Sequence, residues 1–163
     1  MQAPSKHIAL RCIAVLAALV VAAGAAAGER RPPIAGRDVF SGKRVALAQY
    51  RGKPVFVNVW GSWCEGCNTE ARTLAAFART HRRQVAFIGI DTMDSRTGAR
   101  AFYDRYDTDY PSIWDPRGLL SGRWARGVPS TLVFDGKHRL VTTIEGTASK
   151  AELTAALRRA TRR

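Results

Sequence analysis

The sequence predicts one α/β domain, a central mixed β-sheet covered by helices on both faces, with an N-terminal hairpin and a central insertion. Three observations carry that prediction. Two apolar runs, residues 55–60 and 85–90, have the length and β-branched content of buried strands. A helical pattern lies between them, which makes the strands parallel with a right-handed crossover. From residue 131 onward the pattern becomes strand, turn, strand, helix, which adds an antiparallel pair. At 163 residues the chain fits one domain with a real core rather than two.

The first residues are a different material. Lys6, His7 and Arg11 precede an uncharged Ala/Val/Leu run over residues 12–27, in which Ala23-Gly24-Ala25 and Ala25-Ala26-Ala27 are small-x-small sites. Residues 1–27 therefore read as a secretory signal. Sixteen residues fall short of the ~20 that span a bilayer. A retained membrane anchor is the alternative, if Ile8-Ala9-Leu10 extends the run across Arg11. Residues 28–33, with Arg30-Arg31-Pro32-Pro33, form a linker, and residues 34–163 form the domain. Either reading exports the domain. Cys12 leaves with the signal or stays near the membrane, so the domain keeps only Cys64 and Cys67.

Within the domain, residues 37–40 and 44–47 around Ser41-Gly42-Lys43 suggest a small hairpin. Residues 69–81 carry Leu74, Phe77 and Ala78 at helical spacing, and residues 96–106 carry Phe102 and Tyr106 likewise. Residues 110–114 suggest a short strand and 119–124 a short helix. Residues 131–134 and 140–144 suggest a hairpin closed by Asp135-Gly136 turn chemistry. Ser149 with Glu152 three residues later is a capping box that opens a last helix, whose buried stripe includes Leu153 and Leu157.

The chemistry concentrates in Trp63-Cys64-Glu65-Gly66-Cys67. A strand delivers this C-x-x-C to the start of a helix, where unpaired N–H groups and the helix dipole stabilise a thiolate. The thiolate is the attacking species in disulfide exchange. Cys64 is the candidate nucleophile, and Cys67, one turn further, the candidate resolving thiol. Two close cysteines in an exported domain do not make a stapled scaffold. Zinc wants four ligands, and only His81 and His138, far apart, are available to join the pair. Haem attachment requires His after the second cysteine, where this chain has Asn68. The formal net charge of +13 comes from 26 Lys and Arg against 13 acidic residues. The arginines are scattered and no nucleic-acid motif accompanies them, so no nucleic-acid partner is expected.

The run of residues 51–67, with Glu70, Ile88-Gly89-Ile90-Asp91 and Gly127-Val128-Pro129-Ser130-Thr131, resembles the thioredoxin fold. More narrowly it resembles the exported TlpA/ResA/CcmG-type thioredoxin-like proteins of the redoxin (AhpC/TSA-like) superfamily. The resemblance implies a redox-active disulfide between Cys64 and Cys67 and a cis-proline at Pro129, next to Val128, which docks the substrate segment. It also implies that Trp60 and Trp63 bracket the active site, and that Glu70 is an active-site acid which relays protons if buried. The exposed-helix reading of Glu70 stays open. Asn58 stands where thioredoxin proper has a buried Asp. The chain departs from the pattern in enclosing Glu65-Gly66 rather than x-Pro, and in carrying Arg72 where relatives often have a helix-kinking Pro.

The function so implied is an exported thiol–disulfide oxidoreductase that reduces cysteine-containing proteins, apocytochrome c in cytochrome c maturation being the substrate class. An upstream membrane thiol donor would recharge it. The expected protein is monomeric, uses no cofactor or metal, and resides in the periplasm or on the outer face of the membrane, secreted or anchored. A disulfide-introducing oxidase is the rival within the class, and a metal-binding or copper-delivery module the rival outside it.

Overall fold

A computed structural model describes residues 33–162. The signal or anchor, Cys12 and most of the linker lie outside the described residues. Among the described residues no helix is long and apolar enough to cross a membrane.

Strands β1 (Ala35–Arg37) and β2 (Arg44–Ala46) form the N-terminal hairpin, with β1 starting two and ending three residues earlier than the sequence suggests. Its turn is held by Asp38, whose carboxylate accepts from the Ser41 N–H and hydroxyl. Asp38 also reaches across to the Ser112 N–H and so ties the hairpin to the main sheet. A 3-10 turn (Leu47–Tyr50) then leads into β3 (Val55–Trp60), α1 (Glu65–His81), β4 (Ala86–Thr92) and α2 (Arg96–Tyr106). The segment that follows adds β5 (Ser112–Asp115) and the short α3 (Ser121–Trp124). Next come β6 (Ser130–Phe134), β7 (Leu140–Glu145) and α4 (Lys150–Thr161).

The five long-sheet strands lie in the order β5-β4-β3-β6-β7. β3 pairs in parallel with β4, and β4 with β5, while β6 is antiparallel to both β3 and β7. β3 is therefore central and wholly buried, which is why its run is apolar on both faces. Alternation along β3 sends Phe56 and Trp60 to one face, where they pack with Leu74 and Phe77 of α1, Phe102 of α2 and Leu153 of α4. Val55, Val57 and Val59 face the other way, against Ile34, Val45 and Ile113, with Trp124 of α3 at the margin. All three long helices thus share one face, and the second face is covered by the hairpin, the 3-10 turn and α3.

The β6–β7 connection falls where the sequence places it. It spans residues 135–139, and the left-handed residue is His138 (φ 60) rather than Gly136. Asp135 organises it, its side chain accepting from the N–H groups of Lys137 and Arg139 and from the Arg139 guanidinium. Gly136 serves close packing: a Cβ there would lie 3.1 Å from the Gly52 carbonyl oxygen.

Candidate active site

β3 ends at Trp60, and after the three-residue loop Gly61–Trp63 Cys64 becomes the N-cap of α1. Its Sγ accepts a hydrogen bond from the Cys67 N–H at 3.1 Å, and its carbonyl accepts from the Asn68 N–H. The sulfur thus occupies the place where a capping oxygen would satisfy the helix's first donors. Cys64 and Cys67 are joined as a disulfide with their Cα atoms 5.2 Å apart. Cys64 is 5% exposed and Cys67 is fully buried, so an incoming sulfur meets Cys64 first. Glu65, between them, is exposed.

The loop before the pair is clamped from two sides. Asp94 accepts from the Ser62 N–H and from its hydroxyl at 2.9 Å. Asn68 donates through its amide to the carbonyls of Ser62 at 3.0 Å and Cys64 at 2.8 Å, and its own oxygen accepts from the Tyr106 hydroxyl at 2.9 Å. α1, α2 and the loop after β4 thereby all fix the approach to Cys64.

Opposite the pair, the Val128–Pro129 bond is cis. Pro129 is buried against the first turn of α1, since a Cβ on Gly66 would lie 3.0 Å from its Cδ and 3.1 Å from the Thr147 Oγ1. Glycine at 66 is what lets the two segments approach this closely. Val128, beside it, is half-buried. The two tryptophans part company. Trp63 is 54% exposed on the rim, its indole N–H donating to the Thr92 carbonyl at 3.2 Å. Trp60 is a core residue beneath the site rather than a bracket around it. Its ring centroid lies 4.4 Å from that of Phe102, and its indole N–H donates to the Ser112 hydroxyl at 2.9 Å.

Two buried acids lie at this end of the molecule. Glu70 follows Cys67 by three residues on the same face of α1 and is buried. Asn58 donates to its Oε1 at 3.0 Å and the Ala148 N–H to its Oε2 at 2.5 Å. Burial pushes its pKa up to about 7, and the two hydrogen bonds hold it from rising further. Asp91, the last but one residue of β4, pairs with Trp60 in register, fully buried, and neither of its oxygens receives a hydrogen bond. Burial first, then the neighbouring Asp94 and Asp115 carboxylates, raise its pKa to about 8.

Among the described residues no three His, Cys, Asp or Glu side chains are grouped to hold a metal. His81 closes α1 and His138 sits in the β6–β7 loop, so the structure joins neither to the cysteines.

The family model that matches is AhpC/TSA, over residues 27–143. The chain belongs to the AhpC/TSA family. Within this family's neighbourhood, the chain is 27% identical over 113 residues to the thiol–disulfide oxidoreductase ResA of Bacillus subtilis, covering 68% of this chain and 63% of that protein. The match to ResA of Bacillus cereus is 26% over 136 residues, covering 82% and 78%. The chain therefore spans somewhat under two thirds of the first relative and more of the second. Among solved structures, a secreted thiol–disulfide isomerase from Corynebacterium glutamicum superposes with TM-score 0.72 at 25% identity, covering 77% of this chain and 81% of that one. A DsbF homologue from Corynebacterium diphtheriae gives 0.71 at 29% identity, covering 82% and 88%. The described residues form a thioredoxin-like thiol–disulfide oxidoreductase domain.

Several residues of this AhpC/TSA-family site are not marked by the sequence pattern. Asn68 stands out there only as a residue that is not histidine, and Tyr106 only as part of a helical stripe. Asp94 carries no motif, and Asp91 enters only as the end of Ile88-Gly89-Ile90-Asp91, with no role attached. Their placement depends on how α2 and β4 dock on the α1 turn, which spacing along the chain does not encode.

Proposed function

We propose that the protein is an exported reductant of protein disulfides. The observation that carries the reading is the Cys64–Cys67 disulfide at the N-terminus of α1, with Cys64 the accessible sulfur and a proton-holding acid one turn beyond Cys67. In the reduced form, the Cys64 thiolate attacks one sulfur of a substrate disulfide. A mixed disulfide forms and the other substrate sulfur leaves as a thiolate. Glu70, as carboxylate, takes the proton of the Cys67 thiol. The Cys67 thiolate then attacks the Sγ of Cys64, and the remaining substrate sulfur leaves with its electron pair. Two electrons pass to the substrate, and the protein is left with the disulfide. A thiol donor in the membrane restores the dithiol.

Trp63, Val128 and Pro129 form the surface along which the substrate segment lies. Glu65 places a negative charge between the cysteines, which opposes a very stable thiolate and favours a reductant over a strong oxidant. The substrates are cysteine-containing exported proteins, with apocytochrome c, whose cysteines must be reduced before haem is attached, as the class. The uncharged segment over residues 12–27 supports export, with the domain secreted or held at the outer face of the membrane. A Cys67→Ala variant of the full chain tests the reading by trapping substrate on Cys64. Recovery of exported proteins through a dithiothreitol-sensitive bond, absent from Cys64→Ala, is expected. A variant that captures no cysteine-bearing protein would contradict it.

A further inference from the structure

We propose that Met93 and Leu119 continue the rim of the redox pair into an apolar docking strip that receives a hydrophobic side chain flanking the substrate's reacting cysteine, and so bias substrate choice. The inference rests on the exchange chemistry proposed above and assigns its specificity. Four large hydrophobic side chains are exposed among the described residues: Trp63 at 54%, Met93 at 58%, Leu119 at 62% and Leu140 at 40%. Single exposed hydrophobics are ordinary. Three of these four, however, lie on or beside one chain of contacts that begins next to Cys64: Trp63 touches the residue before Met93, and Met93 touches Gly118, the neighbour of Leu119. The Trp63 indole N–H bonds to the Thr92 carbonyl, so its ring lies against the peptide that leads into Met93. A Cβ on Gly118 would lie 3.3 Å from Met93 Cγ and 3.5 Å from its Sδ, so the Met93 side chain runs along the backbone just before Leu119.

The strip is built on a rigid base. Met93 donates its N–H to the Asp115 carbonyl at 3.0 Å, and the Asp115 carboxylate accepts from the N–H groups of Leu119, Leu120 and Ser121. Met93 also sits in the left-handed backbone region (φ 49), which a glycine would occupy without cost. A large apolar residue held there with its side chain in solvent has no evident packing role within the domain. Methionine suits a surface that meets varied apolar partners, because its unbranched, polarisable chain adapts its shape. The occupant is thus an extended polypeptide segment carrying an aliphatic or aromatic residue close to its cysteine. Leu140 lies on β7, at the edge strand beyond β6, outside this chain of contacts.

The test uses the reduced full chain and two synthetic peptides, each a glutathione mixed disulfide of one cysteine flanked by either Leu or Ser. The readout is the ratio of second-order reduction rates, Leu peptide over Ser peptide, within each protein, so a general change in activity cancels. Wild type should prefer the Leu peptide by about tenfold, the scale of one partly buried aliphatic side chain. Met93→Ser with Leu119→Ser should bring the ratio to within about twofold of unity, and Leu140→Ser should leave it at the wild-type value. A wild-type ratio near one, or a ratio that survives the double substitution, overturns the strip. If wild type reduces neither peptide nor oxidised glutathione, it is the exchange reading that fails. Equal reduction of both peptides leaves that reading standing and removes only the strip.

Discussion

Glu70 is where burial becomes chemistry. An ordinary glutamate would be ionised far below neutrality, but desolvation holds this one near 7, a value suited to the proton transfer with Cys67 that we propose. Glu70→Gln keeps the size and an acceptor for the Ala148 N–H while removing the exchangeable proton. Resolution of the mixed disulfide should slow by about 10²-fold in that variant. The wild-type rate should rise with pH through about 7 as the carboxylate forms, and the variant should lose that inflection. Stopped-flow measurement of resolution at a series of pH values checks both. The residue is legible in the sequence only through the family resemblance, which marks Glu70 as an active-site acid if it is buried. Its partners Asn58 and Ala148 are not, since the latter comes from a loop 78 residues away along the chain.

At the scale of elements, the first turn of α1 and the Pro129 segment are fitted to each other through Gly66. Alanine is the better helix former by about 1 kcal/mol. Here its Cβ would press on Pro129 Cδ and Thr147 Oγ1 at 3.0 and 3.1 Å. Gly66→Ala should therefore lose the usual gain and destabilise the domain by about 1 kcal/mol, read as a lower urea midpoint. An increase in stability would show that the two segments yield. Regular elements were the most readable part of the chain. The bounds of β3 and α2 follow from an apolar run and from a helical stripe, signals that are local. Asp135-Gly136 marks the β6–β7 loop in the sequence but not its conformation. The loop is set by side-chain bonds from Asp135 and by contact with Gly52 across the fold. The clamp of Asn68, Tyr106 and Asp94 on the active-site loop escapes the sequence for the same reason: it exists only once helices and sheet have packed.

Across the whole molecule, Glu70 and Asp91 are the buried acids whose pKa values are raised, and they cost stability as pH rises. Glu70 and Asp91 hold protons more tightly when folded, at about 7 and 8 against ordinary values of 4.5 and 3.8. Folding therefore takes up protons in the interval between. The stability they permit is fully present below pH ~4 and is lost as pH rises toward 8, with a slope of up to ~1.4 kcal/mol per pH unit for each acid. Asp91→Asn should remove one of these penalties and offer Asp94 a donor. It should raise the chemical-denaturation stability at pH 8 by at least ~2 kcal/mol and change it little at pH 4. A variant equally stable to wild type at both pH values would contradict that assignment.

The central proposal is that this domain gives electrons to protein disulfides. It is tested most directly by equilibrating the purified full chain with glutathione buffers and alkylating the free Cys64 and Cys67 thiols. A midpoint below about −200 mV, on the reducing side of the known disulfide oxidants, is the result this account predicts. A midpoint near −120 mV, where a strong oxidant lies, would contradict it and make the protein a donor of disulfides.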